Sequence, residues 1–171
     1  YIIQELNGVK VGILGIVNSQ LSEIVLSENL MGTDTQYEVP AIQKWVPIMK
    51  SSGAEIIIIL TSSGVPWNRE DEYETFVEKV KNGEVDESNS SLNAIEMSHF
   101  ANDVDFIIAG GNSKGYWLPW YNFNSHTYVM QGYGNGTEFS HIKLLIDEKT
   151  HLFKGYETLI DGKASQSLLS D

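Results

Sequence analysis

Apolar residues follow two rhythms along this 171-residue chain. Val9 to Val17, Glu55 to Leu60 and Asp103 to Ile108 are short apolar runs rich in β-branched residues. With so little polar alternation, each predicts a strand buried on both faces. Gly12 and Gly15 interrupt the first run and are expected to permit close packing. Between the runs, apolar residues recur every three or four positions. Val39, Ile42, Trp45, Val46 and Met49 predict a helix from Val39 to Ser52, stopped by Gly53 and kinked at Pro47. Tyr73, Phe76, Val77 and Val80 predict a charged surface helix from Asn68 to Lys81. Leu92, Ile95 and Phe100, bordered by Met97, predict another from Ser91 to Asn102. Asn18 to Glu38 shows no period and reads as loop.

The C-terminal third changes character. Thr127 to Gln131, Glu138 to Asp147 and Leu152 to Leu159 predict strands. The last two are joined by a tight turn at Asp147-Glu148-Lys149-Thr150, an antiparallel hairpin with one buried face. The glycines of Gly132 to Gly136 lack the Gly-Lys-Ser/Thr ending of a P-loop and suit a sharp turn. Strands alternating with helices give an α/β class with a largely parallel sheet, followed by an antiparallel unit. Residues 1–161 form one domain unit and 162–171 a tail in which Leu168 and Leu169 are able to dock.

The charge narrows the partners. A net charge of −12 argues against a nucleic-acid duplex or an anionic membrane, because phosphate contacts need clustered Lys and Arg. No apolar run approaches the roughly 20 residues of a membrane span. There are no cysteines, which removes thiol chemistry and thiolate metal sites. The chain opens without Met, in strand-like Tyr1-Ile2-Ile3, and reads as part of a longer polypeptide.

Strand-end loops are where α/β proteins place their chemistry. Two stand out here: Thr61-Ser62-Ser63-Gly64, and Ala109-Gly110-Gly111-Asn112-Ser113-Lys114-Gly115-Tyr116. Neither contains His, Cys, Asp or Glu. The four histidines, His99, His126, His141 and His151, show no ligand spacing and read as structural or surface residues. Aromatic residues gather in the loops at Trp67, Tyr116, Trp117, Trp120, Tyr121 and Phe123. With Lys114, they form a candidate ligand or partner loop, able to stack a base or sugar or to anchor a protein. The alternative is that they pack the loop onto the fold.

The order of landmarks carries a resemblance. Gly8-Val9-Lys10-Val11-Gly12-Ile13-Leu14-Gly15 opens, and Gly53 to Leu60 follows. Then come Asp103 to Gly111, Val129-Met130-Gln131-Gly132-Tyr133-Gly134 and the hairpin with Ile146-Asp147. This series resembles the calcineurin-like metallophosphoesterases, in the branch of secreted bacterial 5′-nucleotidase-like proteins. Lys114-Gly115-Tyr116 and Pro119-Trp120 strengthen the likeness. It covers nearly the whole chain but only the second half of that family's catalytic domain. It implies half of a four-layer α/β/β/α sandwich with mixed sheets, and a periplasmic, cell-surface or secreted location. In the family, two divalent ions (Mn, Zn or Fe) clamp a phosphate and activate a water.

The family's second-half imidazole ligands map onto Ser62, onto Asn112 and, for the last, onto Ser113 or a deletion beside it. The resemblance therefore implies a catalytically degenerate homologue, with no metal expected in this chain, acting as a binding or structural module. The alternative is an active metal-dependent phosphoester or nucleotide hydrolase completed by a missing N-terminal half. On a plain reading of the residues, Ser62 and Asn112 cap turns at strand ends. Expected partners are that N-terminal half, another chain, or a protein recruited by the loop aromatics and an open sheet edge.

Overall fold

The computed structural model describes residues 1–160 and 163–168. Two sheets form. The larger has six strands in the order β1-β2-β3-β4-β6-β5, and the smaller is a β7-β8-β9 meander. The larger consists of β1 (Ile2–Leu6), β2 (Val9–Ile16), β3 (Ile56–Thr61), β4 (Phe106–Ala109), β5 (Trp120–Asn122) and β6 (Thr127–Met130). β2, β3, β4 and β6 run parallel, and β1 and β5 close the two edges antiparallel. The smaller consists of β7 (Ile142–Ile146), β8 (Phe153–Ile160) and β9 (Lys163–Leu168). β9 occupies part of the segment expected as a tail, where pairing to β8 satisfies its backbone. Leu169 lies outside the described residues.

The helices are α1 (Leu21–Ile24), α2 (Ser27–Leu30), α3 (Glu38–Ser51), α4 (Arg69–Lys81) and α5 (Ala94–Ser98). Two are single turns inside the stretch expected as loop; neither has a side-chain cap or a buried residue. α3 runs through Pro47 and stops at Ser51, two residues before Gly53, which takes the left-handed conformation that favours glycine. α5 is far shorter than its apolar spacing predicts. Asn93 starts it with a capping box, accepting from the amides of Ile95 and Glu96 while Glu96 accepts from the Asn93 amide. The chain leaves helical geometry within a few residues, and Asp103 adopts a positive φ. The first two strands are joined by Asn7-Gly8, both at positive φ, as a two-residue hairpin requires.

Strand registers sort the side chains onto two faces of the large sheet. One face carries Leu14, Ile16, Ile57, Ile59, Ile107 and Val129, all buried against Val39, Ile42, Val46 and Met49 of α3 and Ile95 and Met97 of α5. Gly12 belongs here: a Cβ would lie 2.6 Å from the Met49 methyl carbon, so the close packing expected of it is present. Gly15 differs. It is exposed on the opposite face, with nothing within 4 Å of where a Cβ would be.

That opposite face is only partly covered. Phe106, Tyr128 and Met130 pack there against Tyr156, Leu144 and Phe153 of the small sheet. Toward β1 and the carboxyl ends of the strands, Ile2, Leu6, Leu60 and Ile108 remain exposed. A gap of about 730 Å³ separates Val9, Val11 and Ile56 from Leu144 and Ile146. At its margin His151 Nδ1 lies 2.6 Å from the Glu55 carboxylate, which also accepts from the Lys10 amide.

Candidate functional site

The carboxyl ends of β2, β3, β4 and β6 bring four loops together, at Asn18, Ser62 to Val65, Gly110 to Tyr116 and Gln131 to Gly134. The backbone there is tightly interleaved. Gly111 sits at φ 104, and an added Cβ would lie 2.3 Å from the Ser62 carbonyl oxygen. At Gly115 it would lie 2.3 Å from the Tyr133 amide, and at Gly64 2.6 Å from the Asn112 side chain. Glycine is required at these positions so that one loop can lie against the next.

Ser62 and Asn112 are thus neighbours across this seam. Both are exposed, and both side chains are engaged with the protein. Ser62 Oγ accepts from the Asn18 amide at 2.8 Å. Asn112 Nδ2 donates to the Val65 carbonyl at 2.7 Å. Ser113 contributes through its backbone, accepting from the Gly134 amide at 2.9 Å.

Two further residues, unremarkable in the sequence, hold the seam. Gln131 is buried at the end of β6. Its Oε1 accepts from the Val65 amide at 2.9 Å, and its Nε2 donates to the Lys114 carbonyl. Glu38 opens α3 and is wholly buried. Its carboxylate accepts from the Ser19 amide at 2.8 Å, Ser63 Oγ at 3.2 Å and the Leu92 amide at 3.4 Å. A negative side chain at a helix N-terminus is favourable, and these donors replace the water it loses. No sequence period marks either residue; the only signal is a lone polar side chain beside an apolar run.

The aromatic candidates divide into three environments. In the first, Arg69 lies over Tyr116 and Trp120, and Lys114 lies over Trp67 and Tyr116. The Arg69 guanidinium lies 4.2 Å from the Tyr116 ring centre and 5.7 Å from that of Trp120. Lys114 Nζ lies 5.1 Å from Trp67 and 5.2 Å from Tyr116. Alternating cations and rings bind the loop to the start of α4. The Tyr116 hydroxyl donates to the carbonyls of Pro66 and Trp67, and Arg69 donates to that of Leu118 at 3.2 Å. Its hydrogen bond to Glu70 holds that carboxyl below the ordinary range, while burial raises the Tyr116 phenol. Tyr121 follows Trp120 on β5 and therefore points to the opposite sheet face, 4.7 Å from the Tyr128 ring centre and 2.7 Å from His126 Nδ1. Trp117 is exposed on a separate groove beside Phe139.

The histidines are scattered. His99 pairs with the Tyr73 hydroxyl at 2.9 Å, and burial lowers its pKa. His126 and His151 have the partners already given, and His141 is exposed. Among the described residues, no three His, Cys, Asp or Glu side chains converge as a metal-binding group.

No family model matches the chain. Solved structures do. Superposition on the calcineurin-like phosphoesterase YfkN of Bacillus subtilis gives a TM-score of 0.61 at 20% identity, covering 98% of this chain and 48% of that one. This chain has the calcineurin-like phosphoesterase fold. A protein described as a 5′-nucleotidase of Staphylococcus aureus gives a TM-score of 0.59 at 16% identity, covering 99% of this chain and 29% of that one. The sulfate thiohydrolase SoxB of Thermus thermophilus gives 0.63 at 11% identity, covering 98% and 24%. In sequence, the cell wall protein Lmo0130 of Listeria monocytogenes is 28% identical over 150 residues, which span 88% of this chain and 18% of that protein. The chain thus corresponds to part of each longer relative.

The calcineurin-like fold implies metal ions at the strand-end loops. The residues on those loops do not fit a pair of them. Ser62 and Asn112 supply at most neutral oxygen donors, poor ligands for divalent transition metals. The Ser62 hydroxyl already faces the Asn18 amide, and the Asn112 amide group is turned toward Val65.

Proposed function

We propose that this chain is a non-catalytic calcineurin-like module of a cell-surface or secreted protein, working through binding or structural contacts instead of phosphoester hydrolysis. The observation that carries this reading is the commitment of the strand-end polar groups. Where hydrolysis would need open ligand positions for metal ions, Ser62, Asn112 and Gln131 tie one loop to another. Lys114, the cation of the candidate loop, likewise faces Trp67 and Tyr116. The surface location rests on the likeness to a cell wall protein.

The same reading includes a structural partner. The sheet face bearing Leu6, Leu60 and Ile108 is apolar and open, and it borders the gap beneath β7. A segment from the remainder of a longer polypeptide, or from another chain, would bury that face.

The test is hydrolysis of nucleotides and of a generic aryl phosphate with added Mn²⁺ or Zn²⁺, using both this chain and any longer protein that contains it. The expected outcome is no metal-dependent turnover. Turnover that is lost on Ser62→Ala or Asn112→Ala would overturn the proposal and favour the hydrolase.

A further inference from the structure

Away from the strand-end seam, the loop before β7 and the residue after Tyr116 enclose a groove of about 400 Å³. Its base is Met130 and Ile142, and its rim carries Trp117 and Phe139, 55% and 91% exposed. The groove is also lined by Glu138, Ser140 and His141. Unlike Ser62 and Asn112, these three side chains make no hydrogen bond to other described residues, and all three are exposed. Uncommitted polar groups beside exposed rings have the composition of a ligand site, and the volume lies within the range of about 300–1,000 Å³ for small-molecule pockets.

We infer that this groove is a binding site for a neutral saccharide. The groove's charge decides between ligand classes. No Lys or Arg lines it, and Glu138 does. A phosphorylated or carboxylated ligand would meet a carboxylate without a counter-charge, in a chain of net charge −12. A wholly apolar ligand would strip water from Glu138, Ser140 and His141 and return no hydrogen bonds. An ammonium ligand would use the rings and Glu138 but leave the donors of Ser140 and His141 unused. A sugar ring matches the whole set. Its C–H face packs on Trp117 or Phe139, and its hydroxyls donate to Glu138 and exchange hydrogen bonds with Ser140 and His141.

The experiment is a titration of the ¹⁵N-labelled protein, reading the Trp117 indole and the backbone amides of residues 137–142. Triacetylchitotriose and cellotriose are the neutral probes, choline the cationic one and inorganic phosphate the anionic one. The expected result is saturable shifts at these signals with at least one saccharide. Trp117→Ala and Phe139→Ala should each weaken that binding roughly three- to tenfold, the loss of one aromatic contact. Both side chains are exposed, so the thermal midpoint should stay near wild type, keeping loss of binding separate from loss of fold. Shifts that do not saturate, that map elsewhere, that survive both substitutions, or that appear only with choline or phosphate would overturn the assignment.

Discussion

The two faces of the large sheet are built from consecutive residues of the same strands, yet they have reached different states. On β3, Ile59 is 0% exposed and Leu60 is 44% exposed; on β4, Ile107 is 0% and Ile108 is 40%. The inner member of each pair meets the core beneath the helices. The outer member meets nothing comparable, because the small sheet covers Ile58, Phe106, Tyr128 and Met130 but leaves Leu60 and Ile108 exposed. An apolar run thus specifies a strand suited to burial on both faces, but it does not by itself supply the cover for the second face.

Substitution in these pairs separates the faces. Ile59→Ala and Ile107→Ala should each cost about 2–5 kcal/mol in chemical denaturation, the usual range for emptying a packed core position. Glu38→Ala should follow at about 2–3 kcal/mol, since it leaves the Ser19 and Leu92 amides without their charged acceptor. Gln131→Ala should cost about 1–3 kcal/mol by orphaning the Val65 amide, with amide exchange rising at Val65 and across residues 112–116. Leu60→Ala and Ile108→Ala should each cost under about 1 kcal/mol in this chain alone. If a longer protein covers the open face, the cost of these two should rise there toward that of Ile59→Ala. Equal costs in both contexts would contradict a cover.

The smallest expected effect concerns pH. The Lys10 amide, followed by His151, holds the Glu55 carboxyl below its ordinary value. A carboxyl lowered on folding stabilises the protein above the ordinary carboxylate range. That contribution disappears as pH falls through the folded value. Glu55→Gln should therefore lower the denaturation midpoint slightly at neutral pH, change little in acid below the folded value, and so flatten the acid limb of a plot of midpoint against pH.

Much of the fold was legible because its elements are long or strongly periodic. β2, β3, β4, α3 and α4 lie where their apolar patterns place them. The short elements were not. β5 is only Trp120–Asn122, and its pairing depends on β6 already being in the sheet. α5 shrank because a capping box fixes its start and tertiary packing, not helical continuation, buries its flanks. β9 carries little apolar signal and is defined by its ladder with β8.

At the candidate site, Ser62 and Asn112 were legible as strand-end residues, and their meeting across the seam follows from parallel β3 and β4. Gln131 was not, because its partner Val65 is 66 residues away. Glu38 likewise reaches Leu92 across 54 residues. Nor could periodicity separate the aromatic residues. Trp120 and Tyr121 are adjacent in sequence but fall on opposite faces of the sheet, and only the strand pairing reveals it.

The strand-end seam is closed by its own hydrogen bonds, and the proposed function requires that it hold no metal. Titrating Mn²⁺ into the ¹⁵N-labelled protein tests it most directly, because the paramagnetic ion broadens amide signals close to where it binds. The expected result is that Ser62, Gly111, Asn112 and Ser113 keep their intensity at stoichiometric Mn²⁺. Selective loss of those signals at one or two equivalents, reversed by chelation and abolished by Asn112→Ala, would contradict it.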